Sequence, residues 1–265
     1  MECVAACDLY DRRHELAKEI AGKSIRTTRR YKELLDDKSI DAIIVAVPDH
    51  WHKQIVVDTV AAGKDVYSEK PLSHSAADGV AMVEAAKKSD RIVQIGSQRT
   101  SSVLCAKAKE LYDSGAIGEL SLEEATYGRN DPTGVWEYPP PPDLSPENLD
   151  RDTWLGTAPK RPFDPYLFAR WRCWKEYGTG VAGELMVHLP QHTGCVSGLV
   201  RVRQYSCLRS PHTRDRDGGD HALYGLEGHP GTGRIRHHAH SAAGRPSCAE
   251  LLLLCSAEPL EERVL

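Results

Sequence analysis

A near-continuous apolar run at residues 41–47, closed by Pro48, constrains the fold more than any other feature of this chain. Such a run is typical of a parallel strand that is buried on both faces. It belongs to a regular alternation of predicted strands and helices over residues 1–118. The strands are at 4–7, 41–47, 65–67 and 92–95, and the helices are at 11–21, 31–37, 52–62, 75–88 and 102–113. This rhythm predicts an α/β fold, a doubly wound parallel sheet with right-handed crossovers.

The composition and the periodicity of the chain change twice after this region. Residues 119–199 begin with a predicted strand at 119–127 and hold four of the five tryptophans, so we assign them to part of a second domain. Residues 200–265 have nine arginines but no lysine, and six of the twelve histidines. They show no sustained period of two or 3.6. We interpret this aberrant segment either as a disordered tail or, as we favour, as a gene read out of frame after about residue 198.

The bulk composition excludes several classes of function. The net charge of −4 and the pI near 6.3 show no excess of positive charge of the kind that binds nucleic acid. No apolar run approaches the roughly 20 residues of a membrane span, and the first residues lack a secretory signal. We therefore expect a cytoplasmic protein without a nucleic-acid or membrane partner. An export signal in a preceding segment stays open.

A lysine follows the predicted strand at 65–67, in the sequence Glu69-Lys70-Pro71. The ends of strands in such a sheet face the bound ligand, so Lys70 is placed to donate a hydrogen bond to a developing alkoxide or to the carbonyl being reduced. Glu69 is either an ion-pair partner of this lysine or a solvated side chain. The tripeptide alone is a weak signal, because it also occurs in surface turns.

Two further strand ends carry polar residues. Asp8 closes the first predicted strand, where a dinucleotide-binding fold places an acid that accepts hydrogen bonds from the ribose hydroxyls. An ordinary turn aspartate is the alternative. The loop Pro48-Asp49-His50-Trp51-His52 follows the strand at 41–47. Two histidines without a third ligand do not predict a metal site, and helix capping and packing explain them more simply.

A predicted helix at 180–197 holds Glu184 and His188 four residues apart on one face. A histidine suits a general base, and the carboxylate is placed to orient it. A surface pair on a helix is the alternative. The clustered tryptophans are either core or the wall of a substrate site. With Arg172, they suggest a polar, ring-shaped ligand that stacks on aromatic side chains.

Taken together, these segments resemble the Gfo/Idh/MocA family of oxidoreductases, which is related to glucose–fructose oxidoreductase and inositol dehydrogenase. The resemblance extends over roughly residues 3–198. The matching segments are 4–8, 31–35, 40–42, 47–52, 62–71, 94–99, 114–118, 154–159, Trp171-Arg172 and 183–188.

The resemblance implies an N-terminal Rossmann domain, here residues 1–118, followed by an α+β substrate domain with an open, mainly antiparallel sheet, here only in part at 119–199. It implies catalytic roles for Lys70, His188 and Glu184, the last standing where the family usually has aspartate. Cofactor contacts are implied for Asp8, Pro48, His52, Glu69, Lys70 and Gln98, and substrate contacts for Lys70, Trp171, Arg172 and His188.

The implied activity is hydride transfer between NAD(P) and a sugar, cyclitol or related polyol, in a homo-oligomer. NAD is expected rather than NADP, because Asp8 would repel a 2′-phosphate. An NAD-dependent glycosidase of the same family and a non-catalytic sugar-binding relative are the alternatives. The family's glycine-rich strand–helix unit does not precede Asp8 in the printed sequence. We therefore expect a Rossmann sheet that is incomplete at its N-terminus and a truncated chain that is inactive as printed.

Overall fold

The computed structural model of the protein describes residues 2–98, 100–126, 135–189, 232–240 and 253–256. The chain forms two compact units. The first contains the residues up to Gly96 together with Trp136–Thr179, and the second contains Ser97–Val135 and Gly180–Glu262. In the described residues no helix has the length and apolar character needed to cross a membrane.

The first unit begins with alternating strands and helices, as the sequence predicts. They are β1 (Ala5–Cys7), α1 (Asp11–Ala21), β2 (Arg26–Thr28), α2 (Tyr31–Asp36), β3 (Ala42–Val45), α3 (Asp49–Ala61), β4 (Asp65–Glu69), α4 (Ala76–Lys87) and β5 (Val93–Gly96). All paired strands in this region run parallel, with β1 beside β2 and with β4 between β3 and β5. The predicted parallel α/β architecture is therefore confirmed. Strand β2 was not predicted, because its three residues are too short to show a period.

The core of this region lies between the β3–β4–β5 sheet and helices α3 and α4. Its buried residues are Val45, Ile55, Val56, Val60, Val66 and Met82. The opposite face of the same sheet carries Ile44, 68% exposed, beside Tyr67, 39% exposed. The prediction that the 41–47 strand is buried on both faces is therefore wrong for the described residues. Successive side chains of a strand point to opposite faces, and only the face of Val45 contributes to this core.

A buried lysine joins α2 to the entry of β3. Lys64 is 4% exposed, and its Nζ donates hydrogen bonds to the carbonyl oxygens of Asp37, at 2.6 Å, and Ile40, at 2.7 Å. Carbonyl groups that follow a helix have no partner within it, and a cation near a helix C-terminus is favoured by the helix dipole. Lys64 therefore fixes the turn that leads into the strand before the candidate site.

Residues 136–179, which the sequence analysis groups with the second domain, pack in the first unit. They include α6 (Arg151–Leu155), α7 (Pro165–Ala169) and a 3₁₀ turn at Trp171–Cys173. Tyr10 forms a β-bridge with Leu149, and its hydroxyl donates to Asp143. A second buried cluster combines Trp154, Leu155, Leu167 and Tyr177. Of the two roles predicted for the tryptophans, core therefore holds for Trp154, which is 5% exposed.

The second unit contains α5 (Val103–Asp113), β6 (Glu119–Thr126), a π-helical turn at Ala182–Met186, β7 (Thr232–His240) and β8 (Leu253–Ser256). Strand β7 lies antiparallel between β6 and β8. The last two strands fall within the segment predicted to be aberrant. The rest of residues 200–265 lies outside the described residues. The reading frame of this segment and the complete fold of the substrate domain stay predictions.

Candidate functional site

The carboxyl ends of three parallel strands form one edge of the central sheet in the first unit. Val45 of β3 is paired with Ser68 of β4, and Glu69 of β4 is paired with Gly96 of β5. Lys70 comes directly after Glu69, and both side chains are half-buried. Ligands of open parallel sheets bind beyond these carboxyl ends. The structure therefore places Glu69 and Lys70 where the sequence predicts a functional site.

Helix α3 begins at the same edge, immediately after Pro48. Its first residue, Asp49, is 1% exposed, and its carboxylate oxygen Oδ2 accepts hydrogen bonds from the Thr179 backbone N, at 2.9 Å, and Oγ1, at 2.8 Å. An acid in the first turn also interacts favourably with the helix dipole. Asp49 therefore anchors the segment that ends at Thr179 onto the start of α3.

His52 lies one turn further along α3 and is also 1% exposed. Its Nδ1 lies 2.8 Å from the carbonyl oxygen of Pro71, and its Nε2 lies 3.0 Å from that of Val47. Both ring nitrogens thus contact backbone oxygens of the chain itself. The sequence predicts a cofactor contact for His52, but in the structure the ring connects the loop after Lys70 to the end of β3.

The two other ring donors of this turn share a single acceptor. His50 Nε2 lies 3.0 Å from the Trp154 carbonyl oxygen, and Trp51 Nε1 donates to the same oxygen at 2.9 Å. Burial lowers the pKa of His50, so this ring is neutral and donates through one nitrogen. The Trp51 ring leaves little space for a side chain at Gly156, where an added Cβ would lie 3.0 Å from the indole and the φ angle is +58°. These contacts fix α3 on the 136–179 segment.

Asp8 follows β1, as predicted for a ribose-binding acid. Its backbone N donates to the Thr28 carbonyl at 3.2 Å, and its Oδ1 accepts from the Tyr10 backbone N at 2.9 Å. Burial raises the pKa of this carboxyl, while the Tyr10 hydrogen bond and the charges of Arg13 and His14 oppose the change. A half-buried carboxylate held in this way is a ready acceptor for hydroxyl groups.

Two arginines directly after β2 are paired with acids. Arg29 forms two hydrogen bonds with Asp11, at 2.8 and 2.6 Å, and Arg30 contacts Glu33 at 2.6 Å. Thr28, which precedes them, is bonded to the backbone of Asp8. The guanidinium groups nearest in sequence to the candidate ribose acid are thus engaged by carboxylates.

The predicted substrate residues Trp171 and Arg172 lie in the 3₁₀ turn of the first unit. The Arg172 guanidinium carbon lies 4.2 Å from the centroid of the Trp171 ring, a cation–π contact that covers one face of the indole. Both side chains are half-buried.

The remaining predicted residues belong to the second unit. Gln98 is exposed in a turn two residues after β5. Glu184 is 2% exposed within the π-helical turn, and His188 is half-buried in the helical residues that follow. π-turns occur often at functional sites, and no sequence signal predicted this one. How these residues are placed relative to Lys70 stays a prediction.

The sequence of residues 2–97 matches the profile of the Gfo/Idh/MocA proteins, described as an oxidoreductase family with an NAD-binding Rossmann fold. Residues 2–97 are thus similar to this family of oxidoreductases. All the described residues of the carboxyl edge up to Gly96 lie within the matched segment.

Two curated dehydrogenases are similar to part of this chain. Inositol 2-dehydrogenase of Salmonella typhimurium is 32% identical over 120 residues, which are 45% of this chain and 36% of that protein. Levoglucosan dehydrogenase of Pseudarthrobacter phenanthrenivorans is 32% identical over 117 residues, 43% of this chain and 30% of that protein. The chain thus spans about a third of the length of these two curated relatives.

Among solved structures, a levoglucosan dehydrogenase in complex with NADH and levoglucosan superposes with a TM-score of 0.59. The match covers 90% of this chain and 55% of that one, at 19% identity. A second complex of that enzyme, with NADH and L-sorbose, gives a TM-score of 0.55 at 21% identity, over 74% of this chain and 44% of that one. At these identities the likeness shows the fold alone.

Sequence reasoning missed the role of Asp49. It quoted this residue as part of the family motif and gave it no function, although the structure buries its carboxylate against Thr179. The signal was present, because an acid at the first position of a helix after Pro48 is a typical helix start. Its partner is 130 residues away in the chain, and no local pattern identifies such a pair.

Proposed function

We propose that this protein is an NAD-dependent oxidoreductase that transfers hydride to or from a sugar, cyclitol or related polyol. The observation that carries the proposal is the position of Lys70, directly beyond β4 at the carboxyl edge of a parallel sheet. This edge lies within a segment whose family is described as NAD-binding. Relatives of part of this chain are named inositol 2-dehydrogenase and levoglucosan dehydrogenase.

The described residues around Asp8 suit NAD better than NADP. The half-buried Asp8 carboxylate accepts hydrogen bonds and would repel a 2′-phosphate. Arg29 and Arg30, which would attract one, are each paired with a carboxylate. Asp8 would hold the adenosine ribose, and Pro48, Glu69 and Gln98 would line the rest of the cofactor site, as the family resemblance implies.

When bound, NAD supplies the hydride acceptor, and the chain provides the groups that handle the substrate hydroxyl. In the oxidation, the C–H bond yields a hydride, the O–H bond yields a proton, and the carbon becomes a carbonyl. Lys70 donates a hydrogen bond to the oxygen as negative charge develops on it. His188 takes the proton, and Glu184 orients the imidazole. Trp171 and Arg172 contact the polyol ring.

The proposal is tested by assaying NADH formation with a panel of cyclitols, aldoses and anhydrosugars. Lys70→Ala should lower kcat by about 10²- to 10⁴-fold, because it removes a donor that acts in the transition state. Lys88→Ala is the matched control, since Lys88 is an exposed lysine paired with Glu84 on α4. Equal turnover of both variants would contradict the role of Lys70.

The same panel separates the alternatives. Release of an aglycone without net NADH would indicate a glycosidase that recycles its cofactor. Ligand binding without turnover, unchanged by Lys70→Ala, would indicate a sugar-binding relative. The absence of NADH formation with every substrate of the panel would agree with the predicted inactivity of this chain. Homo-oligomer formation and a cytoplasmic location stay predictions.

A further inference from the structure

The two contacts of His52 determine how its ring is protonated. Nδ1 lies 2.8 Å from the Pro71 carbonyl oxygen, and Nε2 lies 3.0 Å from the Val47 carbonyl oxygen. A carbonyl oxygen only accepts hydrogen bonds, whereas a neutral imidazole has one donor nitrogen and one acceptor nitrogen. A neutral ring would therefore direct a lone pair at one of the two oxygens. Only the doubly protonated ring satisfies both contacts.

We propose that His52 is a positioning residue for Lys70, and that its imidazolium ring ties the backbone after Lys70 to the end of β3. The inference deepens the proposed function, because it relies on Lys70 acting at the substrate oxygen. Pro71 is the next residue after Lys70, and Val47 precedes the Pro48 loop. One buried side chain thus fixes the spacing between two loops at the carboxyl edge.

The burial of His52 makes this role specific. The ring is 1% exposed, so its two donors cannot exchange their partners for bulk water, and losing either contact leaves a buried polar group unpaired. The ionisable groups within three residues in sequence of the ring or of its two carbonyl partners are Asp49, His50 and Lys53 on α3, Glu69 at the end of β4, Lys70 after it, and His74 before α4. Burial itself disfavours a charged ring, so the charge has to be stabilised by the two carbonyl contacts.

The first test measures the protonation of His52 in the unmodified protein by ¹⁵N NMR of histidine-labelled chain, with the signal assigned by its loss in His52→Gln. At about pH 7.5 a histidine with an ordinary pKa near ~6.5 is mostly neutral. We expect both ring nitrogens of His52 to show the shifts of protonated nitrogen. One protonated and one unprotonated nitrogen would overturn the inference.

The second test compares His52→Gln with His50→Gln by hydrogen exchange. His50 is the matched control, because it lies two residues away on α3 and its Nε2 lies against the Trp154 carbonyl oxygen, far in sequence from Lys70. His52→Gln should accelerate exchange in residues 68–74, whereas His50→Gln should accelerate it around residue 154. Unchanged exchange in residues 68–74 of folded His52→Gln would contradict the proposed tie.

The kinetic test uses the same pair of variants. A displaced Lys70 should lower kcat by about 10²-fold and leave the KM for NAD nearly unchanged in His52→Gln, with little effect in His50→Gln. A rise in the KM for NAD at constant kcat would instead indicate that His52 contacts the cofactor. The NMR and exchange results require no cofactor or substrate, so they decide the role of His52 even if the proposed activity is wrong.

Discussion

The carboxylate of Asp49 accepts both the backbone N–H and the hydroxyl of Thr179, at 2.9 and 2.8 Å, through a single oxygen. The two residues are 130 positions apart in the chain. Because Asp49 begins the helix that follows the β3 loop, this contact joins the Rossmann strands to the segment that ends the first unit.

Replacing Asp49 with alanine should lower the free energy of unfolding by about 2–3 kcal/mol, since it removes a buried charged acceptor from two donors of the half-buried Thr179. Thr179→Val removes only the hydroxyl and should cost about 1 kcal/mol. Urea unfolding of both variants and of the double variant measures this coupling. Strictly additive costs would show that the two side chains do not interact.

The two hydrogen bonds of Lys64 lead to a second prediction about stability. Lys64→Met keeps the apolar stem and removes both hydrogen bonds to the carbonyls that follow α2, so we expect a loss of about 1–3 kcal/mol in the free energy of unfolding. Lys32→Met is the control, because Lys32 is an exposed lysine on α2, and its change should stay within about 0.5 kcal/mol. Equal effects of the two variants in thermal unfolding would contradict the structural role of Lys64.

The strand ends were predictable because periodicity and proline mark them locally. The run at 41–47 and the tripeptide at 69–71 are enough to predict that Pro48, Glu69 and Lys70 lie at the carboxyl edge. The partners of Asp49, Trp51 and His52 were not predictable. Each contacts a backbone or side-chain group that is distant in sequence, and those contacts depend on tertiary packing, which local patterns do not encode.

Burial on both faces of the 41–47 strand was the prediction that the described residues overturn. An apolar run indicates that a strand tolerates burial, but it does not say which elements cover each face. Val45 packs against α3 and α4, whereas Ile44, next to it, is exposed. A single sequence cannot distinguish these two environments.

Asp37 gives a prediction for acid conditions. The Ser39 hydroxyl and backbone N, followed by Arg26, lower the pKa of Asp37 from 3.8 to about 2. A depressed folded-state pKa contributes stability that is present above 3.8 and is lost as the pH falls through about 2. Asp37→Asn should therefore be less stable than the unmodified chain at neutral pH, and the difference should disappear near pH 2. A difference that is constant from neutral pH to pH 2 in urea unfolding would contradict this assignment.

The carboxyl group of Asp8 should change the stability with pH in the opposite direction to that of Asp37. Burial raises its pKa above 3.8, so the contribution of this carboxyl to stability is present below 3.8 and is lost as the pH rises through the folded-state value. At neutral pH the charged carboxylate of Asp8 therefore lowers the stability of the folded protein. Asp8→Asn should increase the unfolding temperature at neutral pH and weaken NAD binding in calorimetry. A variant that is less stable at neutral pH would show that the carboxylate stabilises the fold.

The pairing of Arg29 with Asp11 leads to a prediction about cofactor choice. Arg29 follows Thr28, which is bonded to the Asp8 backbone, and its guanidinium is held by two hydrogen bonds to Asp11. Asp11→Asn removes the charge that holds this guanidinium, so Arg29 becomes available to bind a phosphate through two donors.

We expect Asp11→Asn to increase NADP affinity relative to NAD by about tenfold, the equivalent of about 1.4 kcal/mol. Calorimetry with both cofactors measures the ratio, and the gain should decrease at high salt because the new contact is exposed. Glu15→Gln is the matched control, since Glu15 is an exposed acid on α1 that pairs with Lys18. Adding Arg29→Gln to Asp11→Asn should abolish the gain. A gain that persists without Arg29 would mean that loss of the Asp11 charge itself, and not release of the guanidinium, sets the preference.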